Sequence, residues 1–127
     1  MNYFSTLTFV ALGGAIGACS RFLLSELFVL LLGRSFPYGT LFVNVTGSMM
    51  MGAFTALLTM QAVSGDPWRP LIGLGFLGAL TTFSTFSMDN VNLLQQGEFV
   101  KMGLNMMLNV VLSVSACWMG YHILMKQ

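Results

Sequence analysis

Residues 70–94 read PLIGLGFLGALTTFSTFSMDNVNLL, an apolar stretch long enough to cross a bilayer, with an unusual middle. Gly73, Gly75 and Gly78 are followed by Thr81-Thr82-Phe83-Ser84-Thr85-Phe86-Ser87. A lipid-facing helix gains nothing from that run. Glycines followed by β-branched and hydroxylated residues mark a place where a helix can break. Open backbone at mid-membrane is tolerated only if its carbonyls are satisfied, and a cation could satisfy them. Phe83 and Phe86, three apart, share one face, with Ser84 and Ser87 beside them. Aromatic pairs at this spacing are usually packing, yet ring edges carry the positive part of the quadrupole and can meet an anion without holding it too tightly.

The rest of the chain is of the same kind. Its 127 residues are 56% hydrophobic and 7% charged, where a soluble domain carries about 25% charged residues. Mean hydropathy is +0.81. This composition argues against a soluble fold. Three further apolar stretches, about 4–32, 39–60 and 102–124, join 70–94 to make four spans with short connections. Gly33-Arg34-Ser35-Phe36-Pro37 and Ser64-Gly65-Asp66-Pro67 are the loop signals, and Trp68 and Arg69 are interface anchors. One membrane domain over 1–127 is the expected organisation. A net charge of +1 with no basic run excludes a nucleic-acid partner. Ile16-Gly17-Ala18-Cys19 resembles a lipoprotein processing box, but no basic residue precedes the apolar run and it continues past Cys19, so the segment reads as a retained first helix. Cys19 and Cys117 read as packed small side chains, and His122 as an interfacial ring.

Charge placement bears on orientation. With four spans, Arg69 and Lys126 fall on one side and Arg34 and Lys101 on the other. A chain without a Lys/Arg bias should insert both ways, and oppositely inserted copies can pair about a two-fold axis in the membrane plane. Arg21 is left out of that tally because it lies within the first span.

Polar groups inside the spans form stripes. Thr40 and Asn44 lie four apart in the second span, and Asn105, Asn109 and Ser113 repeat every four residues in the fourth. Amides and hydroxyls offer hydrogen-bond donors without a fixed negative charge, which suits a dehydrating anion. The plainer reading is interhelical hydrogen bonding. Gly13-x-x-x-Gly17 and Ser48-x-x-x-Gly52 mark close helix approach, and most of the 11 Met residues are gap fillers or lipid-facing. An enzyme is not indicated, because no set of nucleophile, base and orienter exists.

Three blocks now carry a resemblance: Gly13-Gly14-Ala15-Ile16-Gly17-Ala18-Cys19-Ser20-Arg21, Gly39-Thr40-Leu41-Phe42-Val43-Asn44, and Gly78-Ala79-Leu80-Thr81-Thr82-Phe83-Ser84-Thr85-Phe86-Ser87. In order and spacing, the chain resembles the Fluc or CrcB family of small fluoride channels. The resemblance implies an all-α membrane fold in a bacterial inner membrane: four helices per subunit, the third broken, paired as an antiparallel, dual-topology homodimer. It implies passive fluoride export and fluoride resistance. It further implies a structural Na+ at the dimer axis, held by backbone carbonyls of Gly78 and Thr81 from both subunits. Phe83 and Phe86 would offer ring edges to fluoride, and Asn44 its amide. Thr40, Ser84, Thr85, Ser87 and Ser113 would form a polar track, and Arg21 an electropositive entry. Ala79 stands where the family usually has a second glycine, Asp89 where a glutamate is common, and Asn109 where the residue type varies. The alternative is a small multidrug-resistance-type proton-coupled exporter. Such an exporter needs a carboxylate deep in the first span, where this chain has glycines and alanines. Its nearest acid, Glu26, lies toward the end.

Overall fold

The computed structural model describes residues 2–126, and those residues are helical without a strand. Four helices are long and apolar enough to cross a membrane: Tyr3–Leu32, Tyr38–Thr59, Arg69–Gln95 and Phe99–Met125. Helix α1 (Tyr3–Leu32) starts where the Asn2 side chain accepts a hydrogen bond from the Ser5 N–H at 2.9 Å, satisfying one of the orphan donors of a first turn. It stops at Gly33, whose φ of 79° is open to glycine and whose N–H returns to Val29 O. Helix α2 (Tyr38–Thr59) follows directly after Pro37.

The third span begins with a π-type winding over Arg69–Leu77, in which the Gly78 N–H reaches back to Gly73 O, five residues earlier. Pro70 donates no backbone bond there, and Gly73 and Gly75 bring no side chains to resist the wider turn. A single α-helical turn, α3 (Gly78–Leu80), ends at Thr81, and α4 (Phe83–Gln95) follows. Between them Thr81 (φ −79°, ψ 156°) and Thr82 (φ −153°, ψ 125°) are extended. Helix α5 (Phe99–Met125) starts three residues before the expected Met102. Glu98 and Lys101 pair at 3.0 Å across its first turn.

The helices pack as two tight pairs. In one, α1 lies on the π-type segment: a Cβ added at Gly13 or Gly17 would run into the backbone of Leu71 or Phe76. In the other, α2 lies on α5: a Cβ at Gly52 would strike the Cys117 carbonyl, and one at Gly120 the Met49 carbonyl. Small residues at these crossings let main chain approach main chain, the usual means of holding helices together where lipid offers no hydrophobic drive. Between the pairs sits a small apolar core of Val43, Phe54, Leu77 and Leu80. Ala56, Phe86, Leu93 and Ala116 are also buried, and the buried polar groups are Thr40, Thr82, Asn105 and Asn109. Elsewhere the outer surface is covered with exposed Leu, Phe, Met and Val, as expected of a body immersed in lipid.

Candidate functional site

The interruption at Thr81 and Thr82 is held by side chains. Thr82 caps α4, its Oγ1 accepting from the Thr85 N–H at 3.1 Å. Asn44 on α2 stitches the same residue from the other side: Thr82 N–H donates to Asn44 Oδ1 at 2.8 Å, and Asn44 Nδ2 donates to Thr82 O at 3.1 Å. In a continuous helix the N–H groups of Thr82 and Thr85 would bond to Gly78 O and Thr81 O. Here both are given to side chains instead, so those two oxygens lose their regular helical donors. They are neutral, oxygen-only groups, a donor type that suits a hard monovalent cation such as Na+. No cluster of three or more His, Cys, Asp or Glu able to hold a metal occurs among the described residues.

A cavity of about 300 Å³ opens beside the interruption, lined by Asn44, Ser48, Thr81, Thr82, Phe83, Phe86, Asn109, Val110, Ser113 and Val114. It brings together Asn44, Phe83, Phe86 and Ser113 of the expected anion path, with Thr81 of the expected cation site. The two rings stand 5.3 Å apart between centroids and tilt by 53°. They differ in environment, since Phe86 is 7% exposed and Phe83 is 77% exposed in the single chain. The Ser113 hydroxyl oxygen is buried without a hydrogen-bond partner. Ser113 lines this cavity, and a buried hydroxyl left unpaired is a costly group that a ligand or water can satisfy. No residue lining this cavity carries an acid or a base.

A second depression of about 280 Å³ lies on the other side of Thr82, lined by Ala18, Arg21, Phe22, Ser25, Thr40, Thr82 and Thr85. It gathers Arg21, Thr40 and Thr85. Arg21 Nη1 donates to Thr85 Oγ1 at a long 3.5 Å, and Thr82 Oγ1 donates to Thr85 Oγ1 at 3.1 Å. Thr40 Oγ1 donates to Asp89 Oδ2 at 2.7 Å. Asp89 in turn lines a third depression with Arg34 and Gln96, near the end of the span. Polar groups therefore run from the Arg34 loop to the ring pair. Ser84 and Ser87 stand apart from both Thr82-lined hollows. Ser84 meets Thr82 Oγ1 at 3.3 Å, Ser87 Oγ donates to Phe83 O at 2.8 Å, and both side chains are exposed.

Sequence reasoning missed the partners of the fourth-span amides. Asn105 Nδ2 donates to Asn90 Oδ1 at 3.0 Å, a partnership between different helices that no spacing rule reveals. His122 sits at the end of α5, with Nδ1 3.2 Å from Trp118 O and its ring stacked on that indole at 4.2 Å. Cys19 and Cys117 are free thiols.

The arrangement offers the unpartnered Ser113 hydroxyl, two aromatic rings and Arg21, a set suited to a small anion, while the Asn44 amide hydrogens are committed to Thr82 O and Asn109 Oδ1; no catalytic constellation occurs among the described residues. Similarity to known proteins agrees with this chemistry. The family model described as CrcB-like protein, Camphor Resistance (CrcB), matches residues 8–121. Proteins named Fluoride-specific ion channel FluC from Vibrio campbellii and Vibrio parahaemolyticus are each 66% identical to this chain over 126 residues, with 99% of both chains covered. The protein of that name from Photobacterium profundum is 64% identical over the same length and coverage. With a match across nearly its whole length, the chain belongs to the CrcB-like family.

Proposed function

We propose that this protein is a fluoride-selective channel through which fluoride leaves the cell passively, protecting the host from fluoride that enters as the neutral acid and is trapped as the anion. It is a multi-pass protein of a bacterial inner membrane and not an enzyme. The observation that carries the reading is the cavity beside the interruption, where the Asn44 amide, the unpartnered Ser113 hydroxyl and the Phe83 and Phe86 rings meet with no titratable group among them. The free Ser113 hydroxyl and the positive ring edges carry no fixed charge, so they can replace part of the water of a small anion and still release it. Nothing there can bind and release a proton near neutral pH, which disfavours a proton-coupled exporter. Glu26 is exposed on α1 and absent from the linings of the three depressions described above. The test is halide efflux from liposomes containing the purified protein. Fluoride should leave far faster than chloride, and equal rates would defeat the proposal.

The working unit we propose is a homodimer of two oppositely inserted copies, with the third span as a broken helix at their junction. Three features support it. Phe83, Ser84, Thr85 and Ser87 form an exposed, partly hydroxylated patch at mid-span, a surface poorly suited to lipid. The Lys and Arg residues at the span ends and in the connections, Arg69 and Lys126 against Arg34 and Lys101, are balanced between the two sides. The Gly78 and Thr81 carbonyls have lost their helical donors close to that patch. A structural Na+ held by those carbonyls from both copies would satisfy them and fasten the pair. Exchanging Na+ for a large organic cation during purification should then lower both dimer content and fluoride efflux. Unchanged values in both would remove the ion from the architecture.

A further inference from the structure

Helices α2 and α5 run parallel and keep one register along their contact. Asn44 Nδ2 donates to Asn109 Oδ1 at 2.9 Å, across a separation of 65 positions in the chain. Further along, a Cβ at Gly52 would strike the Cys117 carbonyl, and that pair has the same separation of 65. Ser48 and Ser113 stand midway between these contacts in the same register, one helical turn beyond Asn44 and Asn109, and both line the cavity beside the interruption. The helices converge along this stretch: two amide side chains span the interface at Asn44, whereas main chain meets main chain at Gly52. Two serines face each other in between without bonding, since the Ser113 hydroxyl oxygen has no partner. The other polar donors of the cavity are committed. Both amide hydrogens of Asn44 go to Thr82 O and Asn109 Oδ1, and the Asn109 amide donates to Asn105 O and Oδ1. Thr81 Oγ1 donates to Leu77 O, and Thr82 Oγ1 to Thr85 Oγ1. On α2 itself, Thr46, Thr55 and Thr59 turn their hydroxyls back to the carbonyl four residues earlier, and Ser48 does not.

We infer that Ser48 joins Ser113 in a two-hydroxyl site, facing across the α2 and α5 contact, that holds one small anion by donating both O–H groups to it. A hydroxyl hydrogen turns freely about its C–O bond, so each serine can aim its donor at a shared acceptor in the gap. Hydrogen bonds to an ionised acceptor are shorter and stronger than those between neutral groups, which favours an anion over a second neutral partner there. Ser48 reads from sequence as a packing residue through its Ser48-x-x-x-Gly52 spacing. The structure gives the close approach to Gly52 and leaves Ser48 at the cavity wall. The inference rests on the fluoride reading above and adds a residue which that reading does not use.

The test compares Ser48→Ala and Ser113→Ala with Thr46→Val as a control, because the Thr46 hydroxyl is bonded to Phe42 O and lies outside the cavity lining. Each protein is reconstituted in liposomes, and the fluoride concentration giving half-maximal efflux is recorded. Its melting temperature is measured in sodium chloride and in sodium fluoride at equal concentration. Ser48→Ala and Ser113→Ala should each raise the half-maximal concentration about tenfold, the loss expected for one hydrogen bond to a charged acceptor. Their melting temperature in chloride should stay level or rise, since no protein hydrogen bond is lost and alanine is the better helix former. Thr46→Val keeps the wild-type half-maximal concentration. A half-maximal concentration within about twofold of wild type in Ser48→Ala overturns the inference, and with a lowered melting temperature in chloride it assigns the hydroxyls to interhelical bonding or a structural water. Should Ser48→Ala conduct too little to measure, fluoride binding decides: the rise in melting temperature that fluoride gives wild type over chloride should vanish in the variant. A rise that persists in Ser48→Ala, or that wild type lacks, overturns the inference. A wild type that does not conduct fluoride sinks the channel reading itself, whereas a conducting wild type with an insensitive Ser48→Ala sinks only the serine pair.

Discussion

The two halves of the third span are built on opposite plans. Arg69–Leu77 is glycine-rich and pressed against α1 main chain to main chain, with Gly13 and Gly17 on one side and Gly75 on the other. Phe83–Gln95 touches its neighbours through side-chain hydrogen bonds and leaves Phe83, Ser84, Thr85 and Ser87 exposed. The first half is a fixed wall and the second a hydrogen-bonded, unfinished surface. Damage to the first should therefore appear as lost folding, and damage to the second as lost conduction in a folded protein.

The largest effect belongs to the wall. Gly17→Val places a side chain where the Phe76 carbonyl already sits, and overpacking of this kind costs about 3 kcal/mol. Little folded protein should survive extraction, as read by size-exclusion chromatography; a normal yield would show that α1 can shift away. Next comes the unfinished surface. Phe86→Ile keeps size and apolarity but removes the ring edge, and fluoride efflux should fall about tenfold with the elution profile unchanged. Phe83→Ile should behave alike despite its greater exposure. If only Phe86→Ile lost flux, the exposed ring would serve contact rather than conduction. A smaller loss is expected at the joint between the halves. Thr82→Ala removes the cap of α4 and should cost about 1 kcal/mol of stability in a denaturation series. The smallest is Lys101→Met, which breaks an ion pair whose side chains are 37% and 44% exposed and should change stability by less than about 0.5 kcal/mol.

The four spans could be read from hydropathy because burial in lipid demands apolar length, whatever the tertiary arrangement. Their ends fell within one residue of the expected positions for the first three spans. At the fourth, the helix runs one turn further, from Phe99, through residues around Lys101 that hydropathy counts as polar. Spacing also grouped Thr40 with Asn44, and Asn105 with Asn109 and Ser113, since a stripe on one helix is a local property. It could not say that Asn44 spends both donors on Thr82 and Asn109, or that Asn90 completes the set, because those depend on how α2, α4 and α5 are set against each other. The same limit hid Gly120 as the mate of Gly52. The π-type winding had only the proline and glycines as its sign, and these are equally compatible with an ordinary α-helix.

The contact of Gly52 and Gly120 with opposing carbonyls means that α2 and α5 rest against a hard stop made of peptide atoms. Side chains do not set the gauge between these helices. Relatives or designed versions can therefore exchange the groups at Asn44, Asn109 and Ser113 while the frame keeps its width, so that the chemistry of the passage and its dimensions vary independently.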